Sequence, residues 1–235
     1  MNENPSLLFF NEKAPNIANV NNYPPIIKDY LFKEREFFIN FVKAHEYKLI
    51  IEAGCMDGQL LMPLIISTKT NYLGIDLNQE MSNKTNNRIG EMNLDSTQFA
   101  LAINNDITNL PTIIKQQKIE VTNSLVVFPF NSFGHIIFPL PLLKMLRKMT
   151  LDVLILSYNA TSIIKEARYS YYKLCGCTDL NLCEDKNGAL FLSSEHLHAY
   201  GYFPHTLSTM LEQSDFISEI IPIDDIGFAC HGSRA

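Results

Sequence analysis

The segment 49–77 constrains the fold most strongly, because its pattern changes from strand to turn to helix and back to strand. Apolar residues lead directly to Glu52 and then to Gly54 and Gly58, a helix-like apolar run follows, and a second strand-like run ends at Asp76. A chain that leaves a buried strand through a sharp turn does so at low cost only with glycine. This pattern is typical of a turn that binds a nucleotide.

Asp76 is the second informative residue of this segment. It ends the second predicted strand, and parallel neighbouring strands would place it beside the glycine turn. A carboxylate at that position can accept hydrogen bonds from both hydroxyls of a ribose. We therefore expect a ribose-containing ligand at this edge of the sheet.

Two runs of residues carry a family resemblance: Glu52-Ala53-Gly54-Cys55-Met56-Asp57-Gly58, an acid followed by a glycine turn, and Gly74-Ile75-Asp76. They resemble the first and second motifs of class I S-adenosylmethionine (SAM)-dependent methyltransferases. The order and spacing of the motifs matter here, because a single glycine-turn match is common by chance. The middle glycine of the first motif is Met56 in this chain, a bulky side chain that is expected to narrow or reshape a cofactor site.

The resemblance implies a fold and a cofactor. The fold is α/β, a Rossmann-like, doubly wound and mostly parallel sheet with a C-terminal antiparallel hairpin. The cofactor is SAM, whose methionine and sugar part passes close to the glycines and whose ribose is held by Asp76. The cofactor-binding residues expected on this basis are Glu52, Gly54, Cys55, Gly58, Asp76, Leu77, Asp106, Ile107 and Phe128.

Asp106 and Ile107 follow a third predicted strand at 99–103. The family commonly has an Asp here that bonds the adenine amino group, with the next backbone amide on a ring nitrogen. Aspartate is also favoured in turns, so Asp106 by itself has a second interpretation as a turn or cap residue. Its position in register with Asp76 favours the adenine-binding interpretation.

The residues after the fourth predicted strand, 124–130, suggest the acceptor site. Asn131-Ser132-Phe133-Gly134-His135-Ile136 is similar to the N-S-F-x-H-L stretch of small-molecule N-methyltransferases such as glycine N-methyltransferase. The D/N-P-P-Y/F signature of DNA amino-methyltransferases is absent from the sequence. We expect substrate contacts from Asn131, Phe133, Tyr158 and Tyr172. His135 is the first candidate for a general base and His198 the second, although a single His is more often structural.

The N-terminal 25 residues are rich in asparagine and proline and are predicted to be a poorly ordered arm or loop over the surface. A helix is predicted at 26–46 from apolar residues three and four positions apart. In the family a helix at this point often covers the cofactor, and Tyr30 and Arg35 are candidates to lie near the methionine carboxylate. Residues 26–235 are expected to form one domain.

Further strands and helices alternate up to residue 172, which favours a parallel sheet covered on both faces. A helix is predicted at 136–149, with its start delayed by Pro139 and Pro141. Residues 173–204 break the alternation and are expected to be an insertion that encloses the substrate. Their cysteines and histidines are suitable metal ligands but match no standard zinc spacing, so a metal site is the less favoured alternative for this segment. A helix at 204–213 and a closing hairpin at 216–222 and 227–230 complete the chain.

The charge and the cysteine content of the chain limit the kinds of molecule and the cellular location that we expect for it. The chain has 19 basic and 25 acidic residues and a net charge of −6. With no basic run it is a poor match for a phosphate backbone, so nucleic acid is disfavoured as a substrate. Five cysteines without small-scaffold spacing favour reduced thiols in the cytoplasm, and no membrane span or secretory signal is expected. The oligomeric state stays open.

Three functions compete at this level. The favoured one is a SAM-dependent methyltransferase that acts on a small metabolite, by N- or O-methylation. A nicotinamide-dependent oxidoreductase would require G-x-G-x-x-G, which fails at Met56 and Gln59. The third is a non-catalytic relative with a binding or scaffolding role, which Met56 favours and an intact 131–135 stretch disfavours.

Overall fold

Ten strands build two sheets in the structure, a computed structural model that describes residues 5–234. The strands are β1 (Leu49–Ala53), β2 (Asn71–Asp76), β3 (Ala100–Asn104), β4 (Ser124–Phe128), β5 (Asp152–Tyr158), β6 (Asn181–Asp185), β7 (Gly188–Leu192), β8 (His198–Tyr202), β9 (Ile217–Pro222) and β10 (Gly227–Ser233). Seven of them form the main sheet in the order β3-β2-β1-β4-β5-β10-β9. The first five are parallel, and β10 pairs antiparallel with β5 and β9.

Helices cover both faces of the main sheet. They are α1 (Pro5–Ala18), α2 (Pro25–His45), α3 (Met62–Ser67), α4 (Gln79–Gly90), α5 (Leu110–Gln117), α6 (Pro139–Lys148), α7 (Ser162–Leu174) and α8 (Pro204–Glu212). Alternate residues of the fully buried β1 belong to different cores: Ile51 packs with α5, α6 and α8, and Ile50 packs with α2 and α3. The doubly wound α/β sheet and its terminal antiparallel hairpin are therefore confirmed.

The strand order reverses between β1 and β4. From β1 the chain winds outward through β2 and β3, and then returns to place β4 on the other side of β1. Ligands of open α/β sheets bind in the crevice at the carboxyl ends of the strands at such a point. Gly54, which follows β1, and Pro129, which follows β4, therefore lie where a ligand is expected.

The N-terminal segment differs from its prediction. Residues 5–18 form helix α1 instead of a poorly ordered arm, with Phe9, Ala14 and Ile17 buried on one face. Asn11, Pro15 and Asn16 are exposed and give this segment a loop-like composition. For that reason the helical spacing of its apolar residues is hard to recognise in the sequence. Residues 1–4 of the predicted arm lie outside the described residues.

Helix α1 joins three distant parts of the chain. Ser6 Oγ donates to the carbonyl of His135 at 2.8 Å, and Asn78 Nδ2 donates to the carbonyl of Phe10 at 3.0 Å. Asn16 Nδ2 donates to the carbonyl of Cys175 at 3.2 Å. The helix thus extends over the carboxyl edge of the main sheet, from the end of β2 to the end of α7.

The segment predicted as an insertion contains the second sheet, β6-β7-β8, in which each pair is antiparallel. Asn131 Nδ2 donates to the carbonyl of Tyr200 at 3.0 Å, which ties β8 to the loop after β4. This small sheet therefore lies at the same carboxyl edge as α1.

The prediction for the start of helix α6 is confirmed. Helix α6 begins at Pro139, after a short 3-10 turn at Ser132–His135, so the proline does delay its start. Pro129 lies just beyond the last residue of β4.

None of the helices between residues 5 and 234 combines the length and apolar character that a membrane span requires.

We expect Phe9→Ala to test the packing of α1. Phe9 is 0% exposed, and removing a buried Phe side chain costs about 3–5 kcal/mol of unfolding free energy. Phe32→Ala is the matched control, because Phe32 is 63% exposed and its loss should change stability by less than about 0.5 kcal/mol. Urea denaturation measures both, and equal small losses would mean that the segment does not pack as described.

Candidate functional site

A cavity of about 550 Å³ lies at the carboxyl ends of β1, β2 and β4, beneath α1. It is bounded by residues of all these elements and of α7. The predicted site residues that line it are Gly54, Asp76, Leu77, Asp106, Ile107, Phe128, His135, Tyr158 and Tyr172. These residues are far apart in the chain, and the fold brings them together around one cavity.

Asp76 is fixed at the end of β2 by two backbone N–H groups. Met56 N–H donates to Oδ2 at 2.7 Å, and Asn78 N–H donates to Oδ1 at 2.9 Å. Burial raises the pKa of Asp76 to about 6, although both N–H groups act to lower it. Each carboxylate oxygen keeps a second lone pair for a ligand, so Asp76 can still accept from two hydroxyls.

Met56 occupies the place of the motif's middle glycine with a left-handed backbone, φ 51°. A non-glycine residue in this conformation carries a strain of about 1 kcal/mol, which the hydrogen bond to Asp76 offsets. Its side chain lines both the main cavity and a smaller one of about 380 Å³ that Arg35 also lines. Met56 and Leu60 therefore border both cavities, and the main one stays open beside Met56.

Asp106 and Ile107 lie at the same edge, beyond β3. Asp106 caps a short 3-10 turn, since its Oδ1 accepts from the N–H of Thr108 at 2.8 Å. Both residues also line the main cavity. The cap interpretation and the ligand interpretation of Asp106 are thus compatible.

Three predicted cofactor residues do not line the main cavity. Glu52 points into the core between β1, α2 and α3, where Tyr72 Oη donates to its Oε2 at 2.7 Å. Cys55 is buried under β2, where a Cβ added at Gly74 would lie 2.8 Å from its Sγ. Gly58, at φ 75°, allows close packing on α4, because a Cβ there would lie 3.0 Å from Thr85. The motif is therefore partly structural.

Asn131 and Phe133, predicted to contact the substrate, also face away from the main cavity. Asn131 is buried; its Oδ1 accepts from Ser157 Oγ at 2.8 Å and its Nδ2 donates to Tyr200. Phe133 packs edge-on against Phe128, with ring centroids 5.1 Å apart. Asn131 and Phe133 hold the loop after β4 against β5 and β8. The sequence of the loop alone does not distinguish this structural role from substrate binding.

Glu34 supports the same loop and was not predicted. It lies on the buried face of α2, and the N–H of Phe130 donates to its Oε1 at 3.1 Å. Phe130 and Asn131 both have left-handed backbones, φ 50° and 60°, so this hydrogen bond stabilises a strained turn. Burial raises the pKa of Glu34 to about 7.

The two histidines differ in position. His135 lines the cavity and packs edge-on against Phe10, at 4.9 Å between ring centroids. Burial, with smaller contributions from Arg168 and His198, lowers its pKa to about 3, so its ring is neutral at physiological pH. His198 begins β8 and does not line the cavity. His198 lies close enough to affect the pKa of His135, but of these two neighbouring histidines only His135 lines the cavity.

Tyr158 and Tyr172 mark one end of the cavity, and Arg168 joins them there. Arg168 is only 3% exposed, and its Cζ lies 4.6 Å from the centroid of the Phe191 ring and 5.4 Å from that of Tyr158. No carboxylate in residues 5–234 forms an ion pair with it. Cation–π contacts contribute about 0.5–2 kcal/mol each, whereas burying a charge costs several. The protein thus keeps a poorly compensated cation in the cavity wall.

Arg168 was missed, although the sequence held a signal for it. It lies within the buried stripe of α7, together with Ile164, Tyr171 and Tyr172, where an arginine is unexpected without a partner.

Tyr30, a candidate for the methionine carboxylate, instead packs in the core against Tyr158, at 4.4 Å between ring centroids. Among residues 5–234, no group of three or more His, Cys, Asp or Glu side chains is placed to hold a metal ion.

No protein-family model matches the sequence, and no curated protein matches it. Solved structures do share the fold. The structure is similar to magnesium protoporphyrin IX methyltransferase of Synechocystis PCC 6803 with bound S-adenosylhomocysteine (SAH), with a TM-score of 0.60, 12% identity and 97% of each chain covered.

Two further structures are similar. One is 1,6-didemethyltoxoflavin-N1-methyltransferase of Burkholderia thailandensis with bound 1,6-didemethyltoxoflavin and SAH, with a TM-score of 0.62, 9% identity, and 98% of this chain and 88% of that chain covered. The other is a SAM-dependent methyltransferase from Methanosarcina mazei, with a TM-score of 0.57, 13% identity, and 83% and 96% covered. At these identities the likeness shows the fold, so the resemblance to class I methyltransferases is confirmed at that level.

Glu52→Gln tests the structural role of the motif's acid. Burial raises the pKa of Glu52 to about 8, so the folded state keeps a proton that the unfolded state has released. We therefore expect the unfolding free energy of the wild type to fall as the pH rises from about 5 to about 8. In Glu52→Gln this fall should be smaller by at least about 1.4 kcal/mol, the equivalent of one pKa unit.

Urea denaturation at pH 5, 6.5 and 8 measures this difference. Glu34 and Asp76 contribute to the slope of every variant, so the comparison with the wild type isolates Glu52. Exposed Glu120→Gln is the matched control and should retain the wild-type slope. Identical slopes for Glu52→Gln and the wild type would contradict the assignment.

Proposed function

We propose that this chain is a SAM-dependent methyltransferase that transfers a methyl group to a nitrogen or oxygen atom of a small-molecule acceptor. One observation carries the proposal. Asp76 presents a buried carboxylate, fixed by the N–H groups of Met56 and Asn78, to a cavity at the point where the strand order reverses. This is where an α/β sheet binds the ribose of a cofactor.

The cavity fits SAM in size and in the chemistry of its walls. Its volume of about 550 Å³ is within the roughly 300–1,000 Å³ of small-molecule sites. Asp76 would hold the ribose hydroxyls, and Asp106 and Ile107 would hold the adenine. Apolar Leu77 and Phe128 line the same cavity, which suits the flat face of a base and the carbon atoms of the cofactor.

SAM supplies an already activated methyl group, bound to a sulfonium. The tasks left to the protein are to align the acceptor with that group and to exclude water. Helix α1 supplies Ser6, Phe10 and Ile17 to the cavity wall, and the sheet β6-β7-β8 holds the loop after β4 from outside. Both additions to the central sheet support a closed site for a small acceptor.

His135 is the remaining candidate for a proton acceptor. It lines the cavity, is neutral, and its Nδ1 is buried without a hydrogen-bond partner in the described chain. A pKa of about 3 disfavours a stable imidazolium, so His135 is a weak base, and its Nδ1 suits accepting a hydrogen bond from the methyl acceptor better than removing a proton outright. In that case it would orient the acceptor through a hydrogen bond.

The scaffolding alternative depended on Met56 closing the site. The open cavity beside Met56 removes the main reason for that alternative. A nicotinamide-dependent oxidoreductase is not supported either, because the turn after β1 has Met56 where the G-x-G-x-x-G motif requires glycine. Methyl transfer is therefore the function that the geometry supports best.

We expect Asp76→Ala to weaken SAM binding at least tenfold. Two hydrogen bonds to a charged acceptor, at about 1.5–3 kcal/mol each, exceed the roughly 1.4 kcal/mol that a tenfold change requires. Isothermal titration calorimetry measures the dissociation constant of SAM for wild type and variant, with NADH as the alternative cofactor. Exposed Asp95→Ala is the control and should bind SAM like the wild type.

Asp76→Asn separates charge from shape, because it keeps the size of the side chain. It should weaken SAM binding less than Asp76→Ala does, while thermal unfolding checks that all variants remain folded. Absence of SAM binding by the wild type, or tight NADH binding, would overturn the proposed function and restore the scaffolding or nicotinamide alternative.

A further inference from the structure

The cavity has a cationic end that SAM binding by Asp76 does not use. Arg168 Nη2 forms a 3.2 Å hydrogen bond to Tyr172 Oη, but Nε is buried with no hydrogen-bond partner within residues 5–234. Tyr158 Oη is likewise buried without a partner in that range, and both side chains line the cavity. Buried donors in native proteins are nearly always satisfied, so a pair of unsatisfied donors in one wall indicates a missing acceptor.

This end is well separated from Asp76. Tyr158 ends β5, and three strand spacings of about 4.8 Å, or about 14 Å in total, separate β5 from β2 across the sheet. Phe128 of β4 and His135 line the cavity between them. The cavity thus has a carboxylate end for a ribose and a guanidinium end for another group.

We propose that the methyl acceptor carries a carboxylate and that Arg168 and Tyr158 bind it. This inference deepens the proposed function and rests on it for the role of the second ligand. A guanidinium and a phenol hydroxyl together donate to a planar oxyanion, and arginine does so in a forked geometry that lysine lacks. The surrounding rings of Tyr171, Tyr172 and Phe191 favour an acceptor whose body is apolar or aromatic.

The methionine part of SAM also has a carboxylate, and the test must separate the two sources. Arg35 lines the smaller cavity on the other side of Met56 and is the basic residue expected near that group. If Arg168 served the cofactor, its loss would weaken SAH but not 5′-methylthioadenosine, which lacks the amino-acid part. If Arg168 serves the acceptor, both nucleosides should bind the variant as they bind the wild type.

The main experiment compares benzoate with benzamide, which have the same shape and differ in charge. Calorimetry with the full chain at saturating SAH should show that the wild type binds benzoate at least tenfold more tightly. Arg168→Met should reduce this ratio to about one, with SAH affinity within threefold of the wild type. Arg168→Lys, which keeps the charge, should restore part of the preference.

Arg147→Met is the matched control, because Arg147 also lies over an aromatic ring, that of Phe216, but does not line the cavity. It should leave the benzoate-to-benzamide ratio unchanged. Tyr158→Phe removes only the hydroxyl and should lower the benzoate-to-benzamide ratio about threefold. This second variant keeps the inference testable if Arg168→Met does not fold. Wild-type benzoate binding that equals benzamide binding would overturn the inference.

Two other results would also decide the question. A tenfold loss of SAH affinity in Arg168→Met, with unchanged 5′-methylthioadenosine affinity, would assign the guanidinium to the cofactor and overturn the inference. Failure of the wild type to bind SAH would overturn the proposed function instead. The benzoate-to-benzamide ratio of the cofactor-free protein would then still show whether Arg168 binds a carboxylate.

Discussion

The hydrogen bond from Met56 N–H to Asp76 Oδ2 is the contact on which the site depends. It joins the turn after β1 to the end of β2, so the two parallel strands deliver a loop and a carboxylate as one unit. The bond requires a left-handed backbone at Met56 and a sharp turn at Gly54, φ 83°. Without it, Asp76 would be a buried carboxylate with a single N–H donor, which the low-dielectric interior disfavours.

The central sheet supplies only part of the cavity. Its remaining walls come from the two chain segments that are least typical of a simple αβ repeat, helix α1 and the region after β5. Both are anchored by hydrogen bonds to backbone carbonyls, from Ser6 to His135 and from Asn131 to Tyr200. Because these anchors converge on the loop after β4, that loop links the walls of the site. Its strained turn is in turn stabilised by Glu34 from α2.

The sequence predicted the sheet well, and most of the residues expected to bind a cofactor line one cavity, since strand periodicity, glycine turns and terminal acids are local features. It failed at α1, because exposed asparagines and prolines conceal the spacing of Phe9 and Ile17. It also assigned Glu52 and Asn131 to ligands, because local sequence cannot tell whether a polar side chain points into a core or into a cavity. The apolar stripe of α7 gives a sequence signal for Arg168, but only the tertiary structure shows that it has no acidic partner within residues 5–234.

Met56 illustrates how a departure from a motif can be accommodated. The backbone at the middle glycine position needs a positive φ, and Met56 adopts 51° at a cost of about 1 kcal/mol. Its N–H gains the charge-assisted bond to Asp76, which is worth at least as much. Met56 lines both the main cavity and the smaller one beside Arg35, as Leu60 does, and it does not fill the main cavity. The turn therefore accommodates Met56, and the cavity beside it leaves room for a ligand.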